Sequence, residues 1–155
     1  MAALRTLSVN EERVWRSLQF LQLRLMAELS RRLAENADLS YPDFMVLIAL
    51  TSNVEGRMRI FELANHTGWE KSRISHHIGR MSQRRLVTRE KCDSDRRGAF
   101  IVITKRGRSE LERAAPGHFE AVRGLFLDWL TPAQLTAIGE ACDATLARLA
   151  GADHS

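Results

Sequence analysis

Between Asn10 and Asn36 the apolar residues Val14, Leu18, Leu21, Leu25, Leu29 and Leu33 recur at steps of three and four, which predicts one long amphipathic helix. Trp15, Phe20 and Met26 fall off that stripe. A helix apolar on more than one side has more to bury than a small domain offers, so part of it is expected to meet another subunit. The run LSYPDFMVLIAL opens a second helix, with Ser40 as N-cap, Pro42 in a first turn that needs no N–H, and Asp43 at the positive helix end. It is expected to stop near Asn53, ahead of Gly56.

The stretch IFELANHT at 60–67 carries Ile60, Leu63 and Ala64 on one side and ends at Gly68. After a tight turn, WEKSRISHHIGRMSQRRL places Ile74, Ile78 and Met81 at i, i+4 and i+7, on one narrow helical face. Two β-prone runs, LVTREK and AFIVIT, then flank CDSDRRG, whose Asp, Ser and Gly content reads as a hairpin loop. Helix returns beyond Thr104, with Leu111, Ala114, Phe119, Val122, Leu125, Phe126 and Trp129 spread along it and a bend expected at Pro116-Gly117. A last helix is capped by Thr131, takes Pro132 at its first position and carries the stripe Leu135, Ile138, Cys142, Leu146 and Leu149. Cys142 is therefore expected in the core, where a thiol behaves as a small hydrophobe. The order of elements predicts a mainly α fold with a small β-hairpin wing, a winged helix-turn-helix.

A chain of 155 residues can bury a core without metal or disulfide staples. No apolar run approaches the roughly 20 residues of a bilayer span, so no membrane partner is expected. The start MAALRTLSVNEERVW turns polar before a signal-peptide core develops, and two cysteines suit a reducing compartment; a cytoplasmic location is expected. The net charge of +4 is unevenly spread: residues 57–108 hold 14 Lys or Arg against 5 Asp or Glu, and the rest of the chain holds 9 against 14. A basic module sits within acidic flanks, and an anionic partner is implied for the module rather than for the chain.

Inside that module the helix 71–84 has two chemistries. Ser72, His76, Gly79, Arg80 and Gln83 lie opposite Ile74, Ile78 and Met81, with Arg73 and Ser75 beside them and no acid among them. A helix that reads the major groove needs such an arrangement, one face to pack and one to donate. Gly79 would let the backbone come close to a duplex. Candidate DNA contacts are Ser72, Arg73, Ser75, His76 and Arg80, joined by Arg96 and Arg97 of the hairpin loop, which suit a narrow minor groove. Asp93 and Asp95 are assigned to orienting those two arginines by bidentate hydrogen bonds. A solvated amphipathic helix and a turn with an incidental ion pair are the plainer alternatives.

The span from LSYPDF through this helix to DSDRRGAFIVITKRG resembles the multiple antibiotic resistance regulator (MarR) family. The sharpest part is Asp93-x-Asp95-Arg96-Arg97 followed by Ile101-x-Ile103-Thr104-x-x-Gly107. Ile60-x-Glu62-Leu63-Ala64 with Gly68, and Ser72-x-Ile74-Ser75 leading to Leu86-Val87, are also similar. The resemblance implies a homodimer joined by a helical region of residues 1–38 and 107–155, with 39–106 as the winged DNA-binding domain. It further implies a ligand-responsive repressor that binds a palindromic operator, with a small-molecule pocket between the two parts. By that analogy Trp15, Tyr41, Phe44 and Met45 line the pocket and Arg16 pairs with an aromatic or anionic effector, although aromatic residues at helical spacing more often belong to a core than to a pocket.

Other chemistries find less support. An oxidation sensor of this kind would carry a cysteine near its N-terminal helices, and residues 1–91 contain none. Cys92 adjoins Lys91, Arg96 and Arg97, surroundings that favour a thiolate, but an incidental thiol is the simpler reading. The histidines, His66, His76, His77, His118 and His154, are scattered, and adjacent residues on a helix point about 100° apart, so no metal site or cofactor is expected. The chain has no Gly-rich phosphate loop, nucleophile elbow, HExxH or paired Cys-x-x-Cys, which argues against an enzyme. An architectural DNA-binding protein without an effector stays open, and sequence preference would separate it from a regulator.

Overall fold

The computed structural model describes residues 6–92 and 95–152, with side-chain surroundings described outside 91–98 and 151–152. Along the chain run α1 (Val9–Asn36), α2 (Tyr41–Ser52), β1 (Arg57–Arg59), α3 (Ile60–Thr67), α4 (Lys71–Gln83), β2 (Val87–Cys92), β3 (Asp95–Ile103), α5 (Lys105–Leu125) and α6 (Pro132–Ala152). A single 3₁₀ turn, Leu127–Trp129, separates the last two helices. The chain divides into two compact units, residues 1–118 and 119–155.

Helix starts are set by side chains that satisfy the free N–H groups of the first turn. Ser8 caps α1 reciprocally with Glu11, and Ser40 caps α2 with Asp43, each hydroxyl accepting from the N3 amide while the acid accepts from the cap amide. Thr131 and Gln134 do the same at α6, as the Thr131-Pro132 pair predicts. Gly68 ends α3 in the left-handed conformation, φ 66°, which a side chain rarely adopts. The helical assignment of α5 runs unbroken through Pro116.

The core of the first unit forms where α2 meets the helix-turn-helix and the sheet. Phe44, Val46, Leu47 and Leu50 from α2 pack with Leu63, Ile74, Ile78 and Met81 from α3 and α4, with Leu86, Val87, Ile101 and Ile103 beneath, and with Leu111 and Ala114 of α5. The sheet is antiparallel with order β1-β3-β2. Two features depart from the sequence reading. The strand β1, a mere Arg-Met-Arg, has no alternating pattern of its own and forms by pairing Arg57 with Val102 and Arg59 with Phe100. The hairpin is also longer than CDSDRRG suggests, since the ladder continues through a register shift to Cys92 opposite Asp95.

Cys142 is a further correction. It is exposed, along with the whole stripe Leu135, Ile138, Leu146 and Leu149. The periodicity of α6 identified an apolar face correctly, but among the described residues nothing covers it. The N-terminal half of α1 is similar, with Val14, Trp15, Leu18, Phe20 and Leu21 all exposed, and the helix becomes buried only at Leu29 and Leu33. No helix among the described residues is long and apolar enough to cross a membrane.

Two positions make this frame testable. Asp43 is 1% exposed, and its carboxylate takes Arg84 Nη1 at 2.6 Å while His77 Nε2 lies 3.0 Å from its other oxygen. Burial alone would raise its pKa, but the contacts from His77, Ser40 and Arg84 outweigh that and hold it well below the usual carboxylate range. The unfolded chain therefore binds the proton first, near pH 4, and the contribution of Asp43 is full above about pH 5 and erodes as pH falls toward its folded pKa. Asp43→Asn is expected to cost about 3 kcal/mol at pH 7 and to flatten the loss of stability between about pH 5 and pH 3, as read by denaturant unfolding across that range. At Gly107 an added Cβ would lie 2.1 Å from the Leu86 carbonyl oxygen, so Gly107→Ala should lower the urea midpoint despite alanine's better helix propensity. A net loss of about 2 kcal/mol is expected.

Candidate nucleic-acid interface

The turn between α3 and α4 presents α4 at the surface with one face inward. The Trp69 amide donates to Ala64 O at 3.1 Å past the left-handed Gly68, and the Glu70 carbonyl begins α4 by accepting from Ile74 N at 3.0 Å. Ile74, His77, Ile78 and Met81 are buried, whereas Ser72, Arg73, His76, Arg80 and Gln83 are exposed and Ser75 and Gly79 half-buried. Ser75, His76, Gly79, Arg80 and Gln83 line one shallow concavity of about 400 Å³. A Cβ on Gly79 would meet nothing within 4 Å, so the backbone there is open to approach.

At its far end α4 passes through Arg85, whose φ of 60° lets Leu86 N reach back to Met81 O at 3.0 Å and turns the chain into β2. Thr104 fastens the other side of the hairpin: its hydroxyl donates to the carbonyls of Arg85 and Leu86, at 2.7 and 3.0 Å, and accepts from Gly107 N at 2.9 Å. The Thr104-x-x-Gly107 spacing thus seats the start of α5 against the end of α4. Arg96, Arg97, Asp93, Asp95 and Cys92 carry side chains outside the described residues.

Behind the outward face a polar cleft of about 250 Å³ lies between the start of α2 and α4. Arg73 stacks over the Trp69 ring at 4.6 Å, and Trp69 meets His77 edge-on at 5.6 Å between centroids. His77 Nε2 faces Asp43 off the line of a good hydrogen bond, so the contact is mainly electrostatic. Its Nδ1 lies 2.9 Å from Arg80 Nη2. Arg84 also reaches the Asp38 carbonyl, clasping the loop before α2.

The sequence reading placed Asp43 only at a helix start and His77 only among the scattered histidines. No linear signal joins residues so far apart. Arg89 was also missed: it sits on β2 and donates to Ser75 O at 3.2 Å, so a strand residue lies beside the donor face of α4. Arg57 and Arg59 stack over Phe100 at 4.7 and 5.2 Å, adding cations to the sheet.

The residues expected to line an effector pocket are not brought together within the protomer. Phe44 is buried core and meets the His118 ring in a tilted contact at 4.5 Å between centroids, and Tyr41 lies against the same ring at 5.8 Å. Trp15 is 54% exposed, and eighteen residues of helix, about 27 Å, separate it from Leu33 in that core. Arg16 pairs with Glu12 on the open surface, and Met45 is half-buried. Among the described residues no group of three His, Cys, Asp or Glu is arranged to hold a metal ion.

Comparison with known proteins bears on this arrangement. No curated protein sequence matches the chain. The MarR family signature matches residues 37–98, from the loop before α2 into the hairpin. The structure of AbsC, a MarR family transcriptional regulator from Streptomyces coelicolor, superposes with a TM-score of 0.89 at 37% identity, over 95% of this chain and 99% of that one. A second MarR family transcriptional regulator from Streptomyces coelicolor, solved in complex with DNA, is 35% identical with a TM-score of 0.88, over 94% of this chain and 91% of that one. BldR, a transcriptional regulator from Sulfolobus solfataricus, shares the fold at 24% identity and a TM-score of 0.74, over 92% of this chain and 99% of that one. With its acid-free outward helix, its hairpin and its likeness to two such regulators along nearly its whole length, the chain belongs to the MarR family of winged helix-turn-helix transcriptional regulators.

Proposed function

We propose that the protein binds an inverted-repeat operator as a homodimer, each α4 entering a major groove while the hairpin carries Arg96 and Arg97 toward the flanking minor groove. The observation that carries this reading is the outward face of α4, where Ser72, Arg73, His76, Arg80 and Gln83 are exposed without an acid between Lys71 and Gln83. Ser75 belongs with them at the edge. The DNA complex of the 35% identical regulator supports duplex DNA as the partner.

Residues 1–38 and 107–155 are assigned to dimerisation and 39–106 to DNA binding. The uncovered apolar faces of α1 and α6 support that division, because patches of this kind on a DNA-binding protein call for a partner surface. Dimerisation and repression are typical of the family, and the protein is proposed to act as a cytoplasmic repressor. A small aromatic or anionic effector, held by Trp15, Arg16, Tyr41 and Met45 with Phe44 behind them, is the proposed release signal. Since one protomer does not assemble these residues, that pocket would need a second copy to complete it.

Footprinting on fragments selected from the organism's own DNA tests the main reading. Two-fold symmetric protection with half-sites about one helical turn apart is expected. Binding by a monomer, or with no sequence preference, would favour an architectural role instead. Gly79→Ala separates close approach from folding: the open position predicts unchanged or slightly raised thermal stability together with weaker operator binding. Unchanged affinity would place the duplex further from the helix backbone.

A further inference from the structure

The Asp43–His77 pair is more than a closure of the α2–α4 junction, because its outer end holds a side chain of the exposed face. Arg80 Nη2 lies 2.9 Å from His77 Nδ1. A guanidinium has donors only, so Nδ1 is the acceptor in this contact, and the other ring nitrogen, Nε2, is the one that lies 3.0 Å from Asp43 Oδ1. His77 is 6% exposed, Asp43 is held by Arg84 and the Ser40 cap, and the Trp69 ring stands edge-on against the imidazole. The ring has little freedom to turn, so the lone pair it offers Arg80 points one way.

We propose that His77 is a positioning residue for DNA recognition, which fixes the Arg80 guanidinium on the outward face of α4 before the duplex arrives. The proposal rests on α4 being the DNA-reading helix. A surface arginine otherwise samples many rotamers, and ordering it on binding costs affinity, whereas a planar fork already aimed suits the two-point contact with guanine O6 and N7. The three-residue step from His77 to Arg80 is a helix-neighbour spacing, which lets a buried acceptor hold an exposed donor. Arg73, one stack away on Trp69, is ordered from the same cleft by a different contact.

Two measurements test this separately from the DNA-reading assignment. In the free protein, ¹⁵N relaxation at Arg80 Nε should report an ordered side chain, and His77→Ala should convert it to fast averaging; equal order in both overturns the tether whatever the protein binds. His77→Phe keeps a ring against Trp69 and removes the acceptor, so it should give the same result if the alanine variant unfolds. On a selected operator, either variant should weaken binding about three- to tenfold, yet cause no further loss in an Arg80→Ala background. The same loss in both backgrounds, or none in either, overturns the positioning role. If Arg80→Ala binds as tightly as the parent while relaxation shows the tether intact, the DNA contact itself fails, and the positioning role with it.

Discussion

A carboxylate taken out of water is costly unless every lone pair finds a donor, and Asp43 is placed almost wholly out of water. The Ser40 amide at its own helix start and Arg84 just beyond the end of α4 donate to one oxygen, and the ring of His77 within α4 faces the other. Meeting that demand forces the start of α2 and the length of α4 into one relative position. The apolar side chains of Phe44, Leu47, Ile74, Ile78 and Met81, members of one core, then have a register to fill. Hydrophobic burial supplies the greater part of the driving force, but it is non-directional. The buried acid makes the arrangement specific.

The consequence for function is that one helix belongs to the core and to the surface at once. Residues three and four apart on α4 share a face, Ile74, Ile78 and Met81 packed and Ser72, His76, Arg80 and Gln83 exposed, so the orientation of its donor face is set by how the opposite face is held. The hairpin is tied to the same helix by local chemistry: the left-handed Arg85 turns the chain, Thr104 bridges back to the carbonyls of Arg85 and Leu86, and Gly107 leaves room for the Leu86 oxygen. Two elements suited to different grooves of a duplex are thus carried on one support. The likeness to two MarR family regulators, one of them solved in complex with DNA, extends over nearly the whole chain.

The apolar surface left open by the protomer has the opposite character. Trp15, Leu18 and Phe20 on α1, and Leu135, Leu146 and Leu149 on α6, are exposed with no covering element among the described residues. Their helices obey the amphipathic pattern that elsewhere in the chain ends in a core. Periodicity reports that a face is apolar and is silent on what covers it. For this reason Cys142, placed in the core by its stripe, is found exposed.

Much was decided locally. The helices, their caps at Ser40 and Thr131, the turn at Gly68 and the two faces of α4 follow from propensity, capping and a 3.6-residue period, all of which act within a few residues. The basic segment and its acid-free helix were legible for the same reason. The strand β1 was not, because Arg-Met-Arg becomes a strand only when the edge of β3 is offered to it. Nor was the link from Asp43 through His77 to Arg80, since a contact between residues dozens of positions apart leaves no period in the sequence. The sequence by itself determined which surfaces of each helix are apolar or basic. Only the tertiary structure decided which of those surfaces are covered and which arginine is held, because burial and directional bonding depend on what the rest of the chain brings alongside.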